Sequence, residues 1–291
     1  MFNIEVLILI SLVFFWGGFV KGLSGIGLPS FSIAFLTMFM GIKIAIALVV
    51  MPGLLTNLWQ VFGKIKISKI IYRMWPLLAF MFLFSFLGAS ILVENSNFLT
   101  LLLGCLLCLY GCFSLFIKKI VISKKYEKIL GALIGALSGF FGGSTGTFIF
   151  PLAFYVYSLK MTKQEFLQSI ALILISASFC LGFALTGNKL WSLELFAYSS
   201  YAVLPSFIGM YFGRKLQLKL DEKLFKKKID KFIKSKIDII ITSGAVSAGK
   251  HDFVPSVVKK FSLSNFFKGV FIRPGKPILF GKFKNTQKAI F

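Results

Sequence analysis

Acidic residues are scarce in this chain and histidine is almost absent. Ten Asp and Glu stand against 33 Lys and Arg, and the one histidine, His251, lies far from the long apolar runs. No catalytic constellation can be assembled from so few acids and bases, so the chain does not read as an enzyme. Cysteine is also sparse. Cys105, Cys108 and Cys112 share one face of an apolar run with no histidine or acid beside them. Cysteine in such a helix is a small hydrophobe. Cys180 stands alone, and nothing argues for disulfides, a metal or a cofactor. The N-terminal apolar run lacks the basic start and small-residue cleavage site of a secretion signal, so it reads as a retained span.

What the chain has instead is hydrocarbon. It is 57% hydrophobic with a mean hydropathy of +0.86 over 291 residues, beyond what a soluble protein carries. Apolar runs of spanning length fall at 4–22, 44–62, 74–93, 98–117, 128–146, 167–187 and 193–212. Each is near the roughly 20 residues needed to cross about 30 Å of hydrocarbon. The fold class is an all-α polytopic membrane protein, multi-pass in the cell (plasma or inner) membrane. The net charge of +23 invites a nucleic-acid partner, but residues 214–291 hold 19 of the basic residues against 5 acids. A basic cytoplasmic surface beside anionic lipid accounts for it, and no nucleic acid is expected. The loop 64–73 carries Lys64, Lys66, Lys69 and Arg73, and the loop 118–128 carries five lysines against Glu127. Between them, 94–97 is Glu-Asn-Ser-Asn. The positive-inside rule places the two basic loops in the cytoplasm and 94–97 outside.

Two stretches organise the rest. Gly18, Gly22 and Gly25 close the first apolar run, and the same spacing returns at Gly135, Gly139 and Gly142. Each cluster is followed by a proline, Pro29 or Pro151, a short apolar segment and a long one. The same elements in the same order indicate an internal duplication, with repeat one at 5–117 and repeat two at 128–213. The segments 28–42 and 147–158, as helices, reach only about 22 and 18 Å. They read as re-entrant or half-helix segments. Glycines four and seven apart strip one helix face so that another backbone can approach. They also allow a helix to break, which inside a bilayer is tolerated only where protein or a water-filled cavity meets the freed groups. Glycine-broken helices at matching places in two halves are a pointer to a transporter site.

The candidate pathway residues follow from that. They are Gly18, Gly22, Gly25 and Gly27 at the first break, and Gly135, Gly139, Gly142 and Gly146 at the second. Ser24, Ser144 and Thr145 lie at the presumed breaks, where hydroxyls and freed N–H groups suit an oxyanion. Asn57 and Gln60 lie three apart in the second span, where amides usually bond a neighbouring helix. Lys21 is the only charge within a span core. It either serves an anionic substrate or snorkels to the nearby interface. The two clusters are expected to face each other across a shared cavity near the bilayer midplane.

Residues from Gly18 to about Gln60 and from Gly135 to about Ser178 resemble the two repeats of the TauE/SafE family of membrane transporters. The resemblance covers about residues 5–220. It implies roughly eight spans in two halves and a substrate among sulfite and other sulfur-containing or organosulfonate anions. This chain departs from the pattern in carrying Lys21 inside the first cluster and in lacking the last span. The reading is a permease of small anions, its partners the anion and the lipid bilayer.

The composition changes after Gly213. Residues 214–236 form a lysine-rich amphipathic helix pattern, and 237–242 reads as a buried strand followed by a glycine turn at 243–249. Val254–Lys260 reads as a helix, and Ile278–Phe280 follows an Arg-Pro-Gly-Lys-Pro segment. Ile237–Asp252 and Arg273–Gly281 resemble the molybdopterin-binding domain of MoeA-type molybdenum-insertion enzymes. That resemblance implies pterin-site positions at Ser243, Gly244, Ser247, Gly249, Asp252, Pro274, Gly275, Lys276 and Pro277. Ala245 stands where that family favours glycine, and Lys250 where it favours aspartate. Residues 221–291 therefore read as a basic linker helix and a small incomplete α/β fragment without a working site. The alternative function is a membrane-tethered molybdopterin-binding or molybdenum-transfer module. With 147–158 re-entrant, counting crossings sends 167–187 inward and 193–212 outward. The tail would then emerge outside, against the positive-inside rule. That conflict suggests pieces of two proteins, 1–220 and about 229–291, joined together; the alternative is a real fusion in which 147–158 crosses the membrane.

Overall fold

The computed structural model describes residues 4–62, 65–92, 96–116, 121–188, 190–235, 237–240, 254–268, 279–284, 286 and 288–290. They divide into two compact units, Met1–Gly213 and Arg214–Phe291.

The first unit is helical. Its elements are α1 (Ile4–Ser24), α2 (Leu28–Met40), α3 (Ile42–Val61), α4 (Ile67–Leu92) and α5 (Ser96–Phe116), then α6 (Lys124–Thr145), α7 (Ile149–Ser158), α8 (Lys163–Gly187), α9 (Leu193–Tyr201) and the start of α10 (Val203–Ile233). Among the described residues six helical stretches are long and apolar enough to cross a membrane, the last being α9 and α10 together. The protein is an integral multi-pass membrane protein. The run 128–146, expected as a further span, is α6; with five glycines in 22 residues it is not among those six. Large apolar side chains such as Trp16, Leu83, Leu101 and Phe183 are exposed. Lipid tails rather than water meet them.

Both expected breaks are present. α1 ends at Ser24 and α2 begins at Leu28, with Gly25 and Gly27 at φ +86° and +105°. α6 ends at Thr145, Gly146 turns at φ +74°, and α7 begins at Ile149. These are left-handed conformations that side chains other than glycine adopt at a cost. α2 and α7, at 13 and 10 residues, are the half-helices.

Register fixes which helix ends share a side of the bilayer. Lys21 of α1 reaches Thr56 and Asn57 of α3, and Gly25 lies beside Gln60, so α1 and α3 run parallel. Ser199 of α9 bonds the Leu48 carbonyl and the Met51 N–H, and Phe207 of α10 packs on Trp59, so α9 and α10 also run parallel to α3. Gly135, Gly139 and Gly143 of α6 lie against the backbone of Leu77, Met81 and Ser85 of α4. Both chains advance four residues per contact, which makes α4 and α6 parallel with bare glycine faces between them. α8 is antiparallel to α3, since Gly53 meets Ser178 and Val61 meets Gln168. α7 doubles back along α6: the Ile122 N–H donates to the Ser158 carbonyl, and the Tyr155 hydroxyl to the Glu127 carbonyl at 2.6 Å.

The ends of α3 and α7, the starts of α4, α6 and α8, and Gly213 therefore share one side. It is the side of the basic loops, which the positive-inside rule makes cytoplasmic. This corrects the crossing count. The α6–α7 hairpin begins and ends in the cytoplasm, so α8 runs outward and α9–α10 inward, and the chain leaves the first unit on the cytoplasmic side. The basic loop at 64–73 is also shorter than expected, because α4 begins at Ile67. Arg73 is thereby placed to form a bidentate pair with Glu127 of α6, at 2.6 and 2.9 Å.

The second unit contains the rest of α10, β1 (Ile239–Ile240), α11 (Val254–Val258), β2 (Leu263–Lys268), β3 (Leu279–Phe283) and β4 (Ala289–Ile290). The sheet order is β1-β4-β3-β2, with β1 parallel to β4 and the other pairs antiparallel. Ile229 and Phe232 of α10 and Val257 and Val258 of α11 pack on Leu279, Phe283 and Ile290. The strand expected at 237–242 is described only as Ile239–Ile240, and β2 was not expected.

Two outcomes check this fold. A reporter active only in the cytosol, fused after Phe291, is expected to be active; activity confined to an exterior reporter would reverse the topology. Gly139→Leu drives a side chain into the Met81 backbone, an overpacking that costs about 1–3 kcal/mol or more. Membrane insertion should persist while the monodisperse fraction in detergent and the flux both fall. Wild-type values for both would mean that α4 and α6 do not touch there.

Candidate functional site

Between the two breaks lies a small cavity of about 30 Å³. Gly27, Pro29 and Ser30 line it from the first break, and Gly146, Phe148 and Ile149 from the second. Asn57 and Val50 of α3 and Leu174, Ser178 and Leu181 of α8 complete the wall. The starts of α2 and α7 therefore both abut the cavity. Their first N–H groups lack partners within the helix, and their dipoles are positive at that end. Ser30 and Thr147 join the two repeats through their hydroxyls at 2.6 Å.

Lys21 stands behind the Asn57 wall. It is only 2% exposed, so its side chain does not snorkel to the interface. Its ammonium donates to Thr56 Oγ1 at 3.1 Å and to Asn57 Oδ1. Both acceptors are fixed in turn, because the Thr56 hydroxyl donates to the Pro52 carbonyl at 2.6 Å and the Asn57 amide to Gly53 at 2.7 Å. Pro52 has no N–H for its own helix. These two partners are neutral, so they satisfy hydrogen bonds without cancelling charge. A buried charge in that state is costly.

The other expected residues fall elsewhere. Gly18 and Gly22 lie against α10, beside Ser206 and Gly213. Gly135 and Gly139 lie against α4, and Gly142 beneath the Phe148 ring. The glycine clusters thus pack on flanking helices instead of facing each other, and of these glycines only Gly27 and Gly146 line the cavity. Gln60 donates to the Gly25 carbonyl at 3.0 Å, meeting a group that the break set free. Ser24 donates to the Ile26 carbonyl at 2.6 Å, and Ser144 and Thr145 bond back to Phe140 and Phe141. Cys105, Cys108 and Cys112 are exposed, and no group of metal-ligating side chains occurs among the described residues. Ser243, Gly244, Ser247, Gly249, Asp252, Pro274, Gly275, Lys276 and Pro277 lie outside the described residues.

Sequence reasoning missed Thr56, Ser30, Thr147 and Ser178. Thr56 had a signal in standing beside Asn57. The hydroxyls in the short segments had none beyond their nearness to the breaks.

Two repeats, each broken at glycine, enclosing one cavity beside a buried cation, define a membrane transporter. The chain belongs to the sulfite exporter TauE/SafE family, whose model matches residues 10–229. A second model, described as a probable molybdopterin binding domain, matches residues 216–291. Among curated proteins, the chain is similar to the molybdopterin molybdenumtransferase of Haemophilus influenzae, 48% identical over 52 residues, 18% of this chain and 13% of that one. It is also similar to the molybdopterin molybdenumtransferase of Synechococcus elongatus, 38% identical over 60 residues, 21% of this chain and 15% of that one. The chain thus spans less than a sixth of either relative. No solved structure matches it.

Proposed function

We propose that the transporter moves small anions, with sulfite and other sulfur-containing or organosulfonate anions foremost. The carrying observation is Lys21, a buried lysine whose hydrogen-bonding partners are neutral, bonded to Asn57 in the wall of a cavity that the starts of α2 and α7 also line. Each of these features favours negative charge in the cavity. The family description, sulfite exporter, supports the choice among anions.

Flux in proteoliposomes across sulfite, thiosulfate, sulfonates and carboxylates tests the reading. Lys21→Gln removes a charged hydrogen-bond donor worth about 1.5–3 kcal/mol. KM for the preferred anion should rise by about 10- to 100-fold, with little change in protein abundance. Lys21→Arg keeps the charge and should retain more activity than Lys21→Gln. Identical kinetics in all three proteins would remove Lys21 from the pathway.

The match at 216–291 favours a second reading for the tail, a membrane-tethered molybdopterin-binding or molybdenum-transfer module. The stretch shared with the transferases is a small part of each. Titrating molybdopterin into the full-length protein in detergent is expected to show no saturable binding. A saturable isotherm would establish the second reading for this unit.

A further inference from the structure

Ser30 and Thr147 stand 117 residues apart, the interval that also separates Gly18 from Gly135 and Gly22 from Gly139. They are equivalent positions of the two repeats, so the bond between their hydroxyls at 2.6 Å joins a residue to its own counterpart. α1 runs inward and α6 outward, which makes the repeats inverted, and inverted repeats place the substrate at their interface. Ser30 lines the cavity there, and Thr147 stands between Gly146 and Phe148, which line it too. Asn57 and Leu174 are a second pair at the same interval, and both lie in the cavity wall. Other hydroxyls at the breaks donate to the backbone, Ser24 to Ile26, Ser144 to Phe140 and Thr145 to Phe141. Ser30 and Thr147 instead meet each other. Two hydroxyls hold two protons, and the bond between them uses one. Among the described residues neither oxygen has a further partner, so one O–H is left over at the cavity wall. The cavity itself, at about 30 Å³, has room for a water molecule or so and is smaller than sulfite. An anion enters only if this wall parts.

We propose that Ser30 and Thr147 are paired hydroxyl donors for the anion, which on entry takes the place of the bond they make to each other. The inference rests on the permease reading. With the anion bound, both O–H groups donate to its oxygens, where between themselves only one can donate. A hydrogen bond to a charged acceptor is also stronger than one between two neutral hydroxyls. The exchange therefore favours a ligand rich in acceptors, and each repeat contributes one of the two bonds.

The experiment measures KM for sulfite in proteoliposomes carrying the full-length protein, for Ser30→Ala, Thr147→Val and the two combined. Each single change should raise KM about five- to tenfold. The combination should raise it about 25- to 100-fold, because two separate bonds to the anion are lost. Hydroxyls that merely bond each other behave differently: either single change already breaks their bond, and the second adds nothing. Thr147→Ser keeps the donor and should stay within about twofold of the wild type. If the combined variant fails to insert, the contrast between Thr147→Ser and Thr147→Val decides alone, and equal KM in those two overturns the proposal. A combined variant no worse than the worse single one, or KM unmoved by the single changes, overturns it as well while leaving the permease reading intact. Absence of flux for sulfite, thiosulfate, sulfonates and carboxylates in the wild type overturns both.

Discussion

A helix broken inside a bilayer must have its freed N–H and C=O groups met by protein, because hydrocarbon meets none of them. The first unit is arranged around that constraint. At the first break Gln60 reaches across from α3 to the Gly25 carbonyl, while Ser24 takes the Ile26 carbonyl. At the second, the Gly146 N–H returns to the Gly142 carbonyl and the Thr147 N–H reaches the Thr145 hydroxyl. The starts of α2 and α7, with Pro29 and Pro151 in their first turns, lie at the cavity between the breaks.

The duplication is expressed as an exchange between halves. α6 opens repeat two yet lies in register along α4 of repeat one, and α1 opens repeat one yet lies along α10 of repeat two. Glycine makes both pairings possible, since at Gly18, Gly139, Gly143 and Gly209 a Cβ would collide with the partner backbone. Close packing in the membrane has no hydrophobic drive of its own and depends on such contacts. The two repeats cannot separate without opening both seams. The α3–α8 pair and the Ser30–Thr147 contact also join the two repeats. Arg73 and Glu127 close the cytoplasmic end of the α4–α6 seam with a bidentate ion pair, the strongest geometry such a pair adopts.

Spans, breaks and half-helices were legible because each is a local property: apolar run length, glycine in left-handed turns, proline at a helix start. Lys21 was legible because any charge in such a run stands out. Its partner Thr56 was not, since which residue of α3 lies level with Lys21 depends on how two helices slide past one another. The same limit hid the direction of α8. Composition shows that 147–158 is too short to span comfortably, but not whether its far end returns to the side from which α6 started. That is decided by Ile122 meeting Ser158, a contact that no periodicity announces. The glycine clusters were legible as packing faces and as breaks alike. Only tertiary structure shows that Gly139 does the first and Gly146 the second.

The join between the two units takes on a different meaning once the crossings are recounted. An exterior tail with its heavy positive charge was a physical contradiction, and that contradiction was the main argument for two unrelated pieces. With Gly213 at the cytoplasmic side the contradiction is gone. The two family matches overlap at 216–229, inside one uninterrupted helix, α10. A helix is a suitable place for such a join because its hydrogen bonds are local. Residues 203–213 can answer to lipid and to α1, while Ile229 and Phe232 answer to the sheet, without either half constraining the other's backbone. The change of composition after Gly213 therefore falls within one continuous helix.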